Sequence, residues 1–370
     1  MSDTNLKKTP LNRSHRELNG KMVDFGGWDM PVQYAAGVIT EHLRTREHSG
    51  LFDVSHMGEF WVEGEDAIAF VDRLTTNDVT KLVDGQAHYS ALTREDGTVV
   101  DDLLVYRFDV DKILLVVNAS TTDKDWDWIT SHKADENITL TNASADYCQI
   151  AVQGKDAIGI VQKLTDTNLE EIKYYHFTVG KVDGVDAIIS RTGYTGEDGF
   201  EVYANKDFAE RLWNKFLEVG NYGDETGILP CGLAARNTLR LESAMSLYGH
   251  EISDEITPLE ANLGWICKLK TEFIGRDALV EQKEKGLSRK LVGFEMIDKG
   301  IARDDFDVYV DDKKVGYVTS GSPAPFLKKN IGLAFVPVEL ANIGQAIKID
   351  VRGKHLAAEI VPIPFYKRNK

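Results

Sequence analysis

From about residue 288 to the C-terminus the chain reads almost entirely as short apolar strands, and this stretch most narrows the folds open to it. The segments "KLVGFEMI", "DVYVDDKKVGYVTSG", "NIGLAFVP" and "AIKIDVRGKHLAAEIVPI" follow one another with turn residues between them. Short strands broken by frequent turn signals predict an all-β module of about eighty residues. Charge breaks at nearly the same place. Residues 1–284 hold 28 Lys+Arg against 49 Asp+Glu, while residues 285–370 hold 15 against 10. A basic end attached to an acidic body marks a separate C-terminal domain.

Upstream the pattern is mixed. Helical periodicity appears at 38–48, 65–75, 121–133, 207–220, 233–245 and 276–286,. Between these lie the strand signals "LLVYRF" and "ILLVVNA", which form a hairpin, and "YCQIAVQG", "HFTVGKV", "DAIISRTGY" and "GFEVYA",. Helices alternate with mainly hairpin-connected strands, so the expected class is α+β rather than a doubly wound parallel sheet. A chain of 370 residues is long enough for two or three domains.

Several function classes fall away at this level. A formal charge of −16 argues against nucleic acid as the main partner, because phosphate neutralisation needs a basic footprint. No G-x-G-x-x-G or P-loop is present,. No window approaches a membrane span. The polar N-terminus lacks the apolar stretch of a secretory signal, and the cytoplasm is the expected compartment. Cys148, Cys231 and Cys267, an odd number at wide spacings, suit reduced buried thiols. The histidines form no ligand-like cluster, so a protein-bound metal is not expected.

Four stretches carry possible chemistry. In "EDGTVVDDLLVYR" two acids, Asp101 and Asp102, open an otherwise apolar strand. Side chains alternate faces, so Asp102 shares a face with Leu104 and Tyr106, and Asp101 with Leu103 and Val105. A carboxylate so placed lines a pocket, or both acids cap the hairpin edge in solvent. "SRTGYTGEDGFEVY" is a glycine-rich loop leading to Glu201 just inside the next strand. It either lets a ligand approach the backbone or is a long turn whose glycines supply positive φ. "CGLAARNTLRLESAM" places Arg236 in the first turn of a helix, where a cation opposes the dipole and needs an anionic partner. An internal carboxylate such as Glu242, or a ligand, would serve. "LFDVSHMGEF" offers Asp53, Ser55 and His56, but neighbours in a strand diverge, so a nucleophilic triad is not expected. That segment reads as structural or pocket-lining.

Taken together, "KMVDFGGWDMPVQY", "GLFDVSHMGEF", "TTNDV", "DDLLVYR", "VVNAS", "SRTGYTGEDGFE", "CGLAARNTLRLE", "YGHEI", "GWICKLK" and a terminal "PFYK" occur in order. This series closely resembles the T-protein (aminomethyltransferase) family of the glycine cleavage system, from about Lys8 to Lys367. The resemblance implies a three-domain cloverleaf around a central folate channel. The first α+β domain would comprise 1–52 plus 142–243, the second 53–141 plus 244–286, and a C-terminal barrel or jelly-roll domain 287–370. It implies tetrahydrofolate as co-substrate, and an aminomethyl group on the lipoyl arm of H protein as donor. Products would be methylenetetrahydrofolate, ammonia and dihydrolipoyl H protein, with P and L proteins as functional partners. It assigns Asp102 as the essential acid and Glu201 as the pterin acceptor. Arg236 falls on the family's arginine, and Tyr89, Tyr106, Asn118, Tyr174, Tyr175, Tyr194, Tyr366 and Lys367 fall on pocket positions.

The chemistry fits those residue types. A fixed carboxylate can orient a folate nitrogen, accept its proton and stabilise an iminium-like cation. Glu201 can accept a planar pair of N–H donors from an amino-pyrimidine edge. The chain departs from the family pattern at Ala234 and Asn237 in the helix entry, and in "GSPAPFL" at 321–327. Two rival readings share the fold: a folate-dependent demethylase of a small methylated compound, and a non-enzymatic folate-binding factor for iron–sulfur assembly. Intact "FDVSHMGEF" and "SRTGYTGEDGFE" favour the transferase over the first. The second carries Lys-Gly-Cys-Tyr-x-Gly-Gln-Glu where this chain has "CGLAARNTLRLES".

Overall fold

The computed structural model describes residues 6–368. These divide into two compact units, the first 6–68, 81–88 and 104–237, the second 69–80, 89–103 and 238–368. Strands Gln86–Thr93 and Val99–Asp109 are each shared between them.

In the first unit a six-stranded sheet runs Phe177–Val182, Val185–Ser190, Gly199–Asn205, Tyr147–Gln153, Gly50–Asp53, Leu229–Pro230. Its strands are antiparallel up to the last, which lies parallel to Gly50–Asp53. Alternation sorts this sheet into two environments. Ile150, Val152, Ile189, Phe200 and Val202 join the cluster that holds Leu212, Trp213 and Phe216 of helix Ala209–Val219. The opposite face carries Ile188 and Tyr203, packed with Tyr106, Leu114 and Val116. Leu114 and Val116 belong to Lys112–Val117, which pairs with Gly58–Glu63, and that strand with Thr139–Asn142. Strands covered on both faces read as continuous apolar runs, which is why "YCQIAVQG" shows little alternation.

In the second unit the C-terminal strands close into a barrel: Arg289–Met296, Lys329–Pro337, Lys313–Ala324, Asp307–Val310, Ala346–Val351, Lys354–Val361, and back to the first. Val292, Phe294, Ala334 and Val336 share one core with Val308, Ile347 and Ile349. Leu291, Leu333 and Phe335 point the other way, into a second cluster with Leu241, Ile252, Ile256 and Leu279. The expected all-β module is therefore a closed six-stranded barrel, apolar inside and on part of its outer wall.

All six expected helices form, as Val38–Glu47, Ala67–Leu74, Thr122–Ser131, Ala209–Val219, Leu233–Glu242 and Arg276–Lys285. Two more, Asn12–Glu17 and Ala157–Gln162, have six residues each, too short for periodicity to reveal them. The three cysteines are free and buried, as expected. No helix among the described residues is long and apolar enough to cross a membrane.

Candidate functional site

Glu201 is a buried carboxylate whose surroundings follow from strand register. It lies opposite Ser190 on one side and Ala151 on the other, while Tyr203, two residues on, lies opposite Ile188 and Gln149. Gln149, Glu201 and Tyr203 thus share one face. The Gln149 amide donates to Glu201 Oε1 at 3.2 Å and to the Tyr203 hydroxyl at 3.0 Å. Thr192 donates to Glu201 Oε2 at 2.5 Å. Burial raises the Glu201 carboxyl, and Thr192, Arg236 and Gln149 each pull it back, in that order.

Tyr106, fully buried, reaches this group from the facing sheet. Its hydroxyl lies 3.0 Å from that of Tyr203, 3.2 Å from Ser190 Oγ and 3.3 Å from Thr192 Oγ1. Arg236, in the first turn of Leu233–Glu242, places its guanidinium 4.4 Å from the centre of the Tyr194 ring. This is a cation–π contact at an electrostatic partner of Glu201. Among carboxylates, Glu201 feels the Arg236 charge. Glu242 accepts from the backbone N–H of Phe326.

The remaining expected pocket positions of this unit lie just outside its strands. Tyr174 and Tyr175 pack edge to face at 4.8 Å, and Tyr175 has a φ of 59°. That left-handed backbone is uncommon for a bulky residue and is held by N–H donation to Arg191 O and carbonyl acceptance from Ala87 N–H. The Asn118 carbonyl accepts from Thr121 and Thr122 at the start of Thr122–Ser131.

The glycine-rich loop is held by one internal ion pair and by contacts from Arg46 and Gln153 outside it. Arg191 clasps Asp198, and the buried Arg46 pairs with Glu197 at 2.7 Å. Only Gly196 of its glycines has positive φ. A Cβ at Gly193 would fall 2.0 Å from the Gln153 side chain, and one at Gly199 2.4 Å from the Val152 carbonyl oxygen, so close packing against strand Tyr147–Gln153 demands these two.

Asp53, Ser55 and His56 do not form a triad. Asp53 accepts from Thr9 at 2.7 Å and lies 2.8 Å from His15 Nε2, whose other nitrogen meets Tyr34 Oη. Burial alone would raise Asp53, but His15, Ser55 and Thr9 hold it at about 2. Ser55 donates to the Gln149 carbonyl. His56 sits edge-on to Phe25 and Trp28, and burial lowers it to about 4.

In the second unit, Asp102 accepts a hydrogen bond from Tyr89 Oη at 2.7 Å. Tyr89 stacks on Trp265 at 5.9 Å, and Trp265 is 59% exposed. Asp102 is half-buried and Asp101 fully buried, so the two acids have different surroundings and do not both cap the hairpin in solvent. The Tyr366 N–H donates to Glu242 O at 2.7 Å, and its ring meets Phe326 edge-on at 5.4 Å. Lys367 is exposed. Among the described residues no group of three or more His, Cys, Asp or Glu side chains is placed to hold a metal ion.

Gln149, Thr192, Ser190 and Tyr203 do not stand out in the sequence as site residues. The available signal is a polar side chain inside the apolar run "YCQIAVQG", the same kind of anomaly that marks Asp101 and Asp102.

Residues 11–271 match the family described as the GCVT N-terminal domain, and residues 289–367 the glycine cleavage T-protein C-terminal barrel domain. Among curated relatives, an aminomethyltransferase of Desulfitobacterium hafniense is 53% identical over 366 residues, covering 99% of each chain. One of Acidobacterium capsulatum is 53% identical over 371 residues, covering 99% of this chain and 97% of that protein. The crystal structure of glycine cleavage system aminomethyltransferase T from Bartonella henselae superposes with a TM-score of 0.91 at 32% identity, covering 98% of both chains.

Proposed function

Because the chain belongs to the glycine cleavage T-protein family and is an aminomethyltransferase, we propose that its one-carbon acceptor is tetrahydrofolate and its donor the aminomethyl-lipoyl arm of H protein. The observation that carries this reading is Glu201. Each carboxylate oxygen has two lone-pair directions, and the bonds from Gln149 and Thr192 take one on each oxygen. The remaining pair matches the two adjacent N–H donors of a 2-amino-4-oxopteridine, the bidentate geometry a carboxylate favours. Tyr194, backed by Arg236, offers an aromatic face to the ligand, with Tyr106, Tyr174, Tyr175 and Asn118 as further pocket positions of the same unit.

In the reaction, Asp102 orients the attacking folate nitrogen and takes its proton as the new N–C bond forms. That proton leaves with ammonia as the carbon's bond to nitrogen breaks. The carboxylate charge stabilises the iminium-like cation formed as the lipoyl sulfur departs. A second folate nitrogen closes the methylene bridge, its proton going to the lipoyl thiolate. Tyr89 holds the carboxylate in place, and Tyr366 and Lys367 are assigned to substrate binding. The three-domain division and the cytoplasmic location belong to this same reading, as do P and L proteins as functional partners.

Tetrahydrofolate should raise the thermal midpoint, since a ligand that binds only the native state stabilises it by mass action. Glu201→Gln should weaken that shift, and unchanged affinity in this variant would remove Glu201 from the site. Formation of methylenetetrahydrofolate from aminomethylated H protein, dependent on the enzyme, tests the reaction itself.

H proteins are generally acidic, and residues 285–370 carry 15 basic against 10 acidic side chains. The basic C-terminal region is therefore the proposed landing surface. The KM for H protein should rise with ionic strength while kcat changes little. A salt-independent KM would count against electrostatic docking.

A further inference from the structure

The hydrogen bonds around Glu201 form a closed ring with one direction. An amide nitrogen only donates, so Tyr203 Oη accepts from Gln149. Because the Thr192, Ser190 and Tyr106 protons are each committed onward toward Glu201, the proton between the two tyrosines comes from Tyr203. Tyr106 then donates to Ser190 or Thr192, Ser190 donates to Thr192 at 2.9 Å, and Thr192 donates to Glu201 Oε2. Gln149 closes the ring on Oε1. Both branches deliver protons to the carboxylate and neither takes one from it.

Gln149 is the ring's origin, and it is costly to keep. The residue is 2% exposed, and its Oε1 is buried without a hydrogen-bond partner. A leucine would avoid that desolvation penalty. The reversed amide would set Oε1 against Glu201 Oε1, acceptor facing acceptor, so the orphaned oxygen is the consequence of aiming the NH₂ at Glu201.

We infer that Gln149 is a positioning residue that keeps Glu201 ionised and oriented, and so makes the site selective for ligands presenting two adjacent N–H donors. The inference rests on the reading of Glu201 as the pterin acceptor. A neutral Glu201 would carry a proton of its own, and one of the two acceptor positions would become a donor. Pteridines lacking the 2-amino group would then be discriminated against less strongly.

The charged and titratable groups acting on this site come from several elements. Arg236 on its helix, Tyr106 from the facing sheet and Tyr203 beside it all couple to Glu201. Burial raises both tyrosines, so they stay neutral. Glu59, on Gly58–Glu63, acts on Tyr203 and is itself raised well above the carboxylate range by burial. His56 couples to Asp53, which raises it, and to Arg236, which lowers it. A Glu59→Gln background, neutral at every pH, takes this buried acid, which acts on Tyr203, out of the titration.

The test is tetrahydrofolate affinity by anaerobic calorimetric titration against pH, for the parent, Gln149→Leu and Glu201→Gln, all in the Glu59→Gln background. Affinity in the parent should fall as pH drops through the Glu201 pKa. Gln149, with Thr192 and Arg236, opposes the upward pull of burial on Glu201, so Gln149→Leu should move the acid limb upward, with affinity about tenfold weaker for the lost hydrogen bond. The preference for tetrahydrofolate over its 2-desamino-2-methyl analogue should shrink in the same variant. A folded Gln149→Leu with an unmoved acid limb and undiminished preference overturns the inference. Should that variant not fold, Gln149→Met, which keeps the length of the side chain but likewise removes the donor to Glu201, should shift the limb in the same direction, and no shift in it overturns the inference equally. Normal affinity in Glu201→Gln overturns instead the underlying assignment of Glu201.

Discussion

Asp102→Asn is expected to lower turnover about 10²–10⁴-fold, the usual cost of losing a positioned acid–base group, with little change in tetrahydrofolate affinity. The amide keeps the shape and can still meet Tyr89, but it carries no charge to orient or deprotonate the reacting amine. The neighbouring acid is the control. Asp101 is fully buried where Asp102 is half-buried, and consecutive residues of a strand face opposite ways. Asp101→Asn should therefore act on stability, by about 1 kcal/mol for one altered hydrogen bond, and leave turnover near normal. Both variants should be assayed with aminomethylated H protein and by thermal melts. Equal turnover losses in two well-folded variants would defeat the argument from faces. Normal turnover in Asp102→Asn would defeat the mechanism.

That distinction between adjacent acids is legible in the amino-acid sequence, because strand period alone assigns residues to faces. The same rule finds the hairpin around Asp109–Asp111 and the barrel strands. It does not say which strand lies beside which. Gln149 becomes a site residue only through the pairing of Tyr147–Gln153 with Gly199–Asn205, which sets Gln149 opposite Tyr203 and diagonal to Glu201. Register between strands fifty residues apart leaves no local mark. The glycines at 193 and 199 show the same limit. A turn reading expects positive φ, whereas the requirement comes from the Gln153 side chain and the Val152 carbonyl on another strand. Arg236 is recognisable as a cation in need of compensation, yet its contact with Tyr194 joins a helix to a loop forty residues away. Local anomalies of charge and polarity thus identify individual residues; long-range pairing decides what each one touches.

A second large effect is expected at Arg240 and Glu251, an ion pair with side chains only 1% and 0% exposed and a 2.8 Å contact. Glu251 also accepts from the Leu247 N–H and from Thr319 Oγ1, and Arg240 donates to Ser320 Oγ and to the Met245 carbonyl. Thr319 and Ser320 lie on barrel strand Lys313–Ala324, so this cluster ties the end of helix Leu233–Glu242 to the barrel wall. Taking two charges out of water is expensive, and the pair persists because these further bonds satisfy both groups. Removing one partner leaves the other buried and uncompensated. Glu251→Ala and Arg240→Ala should each destabilise by about 3–5 kcal/mol, read as a large drop in the thermal or urea midpoint. The double variant Arg240→Met/Glu251→Leu should recover much of that loss, because apolar groups of similar volume need no compensation. If the charges acted independently, the double variant would be as unstable as the two singles combined. A loss below about 1 kcal/mol in both single variants, the range of exposed pairs, would mean that water reaches the cluster and that the barrel is held to this helix by apolar packing alone.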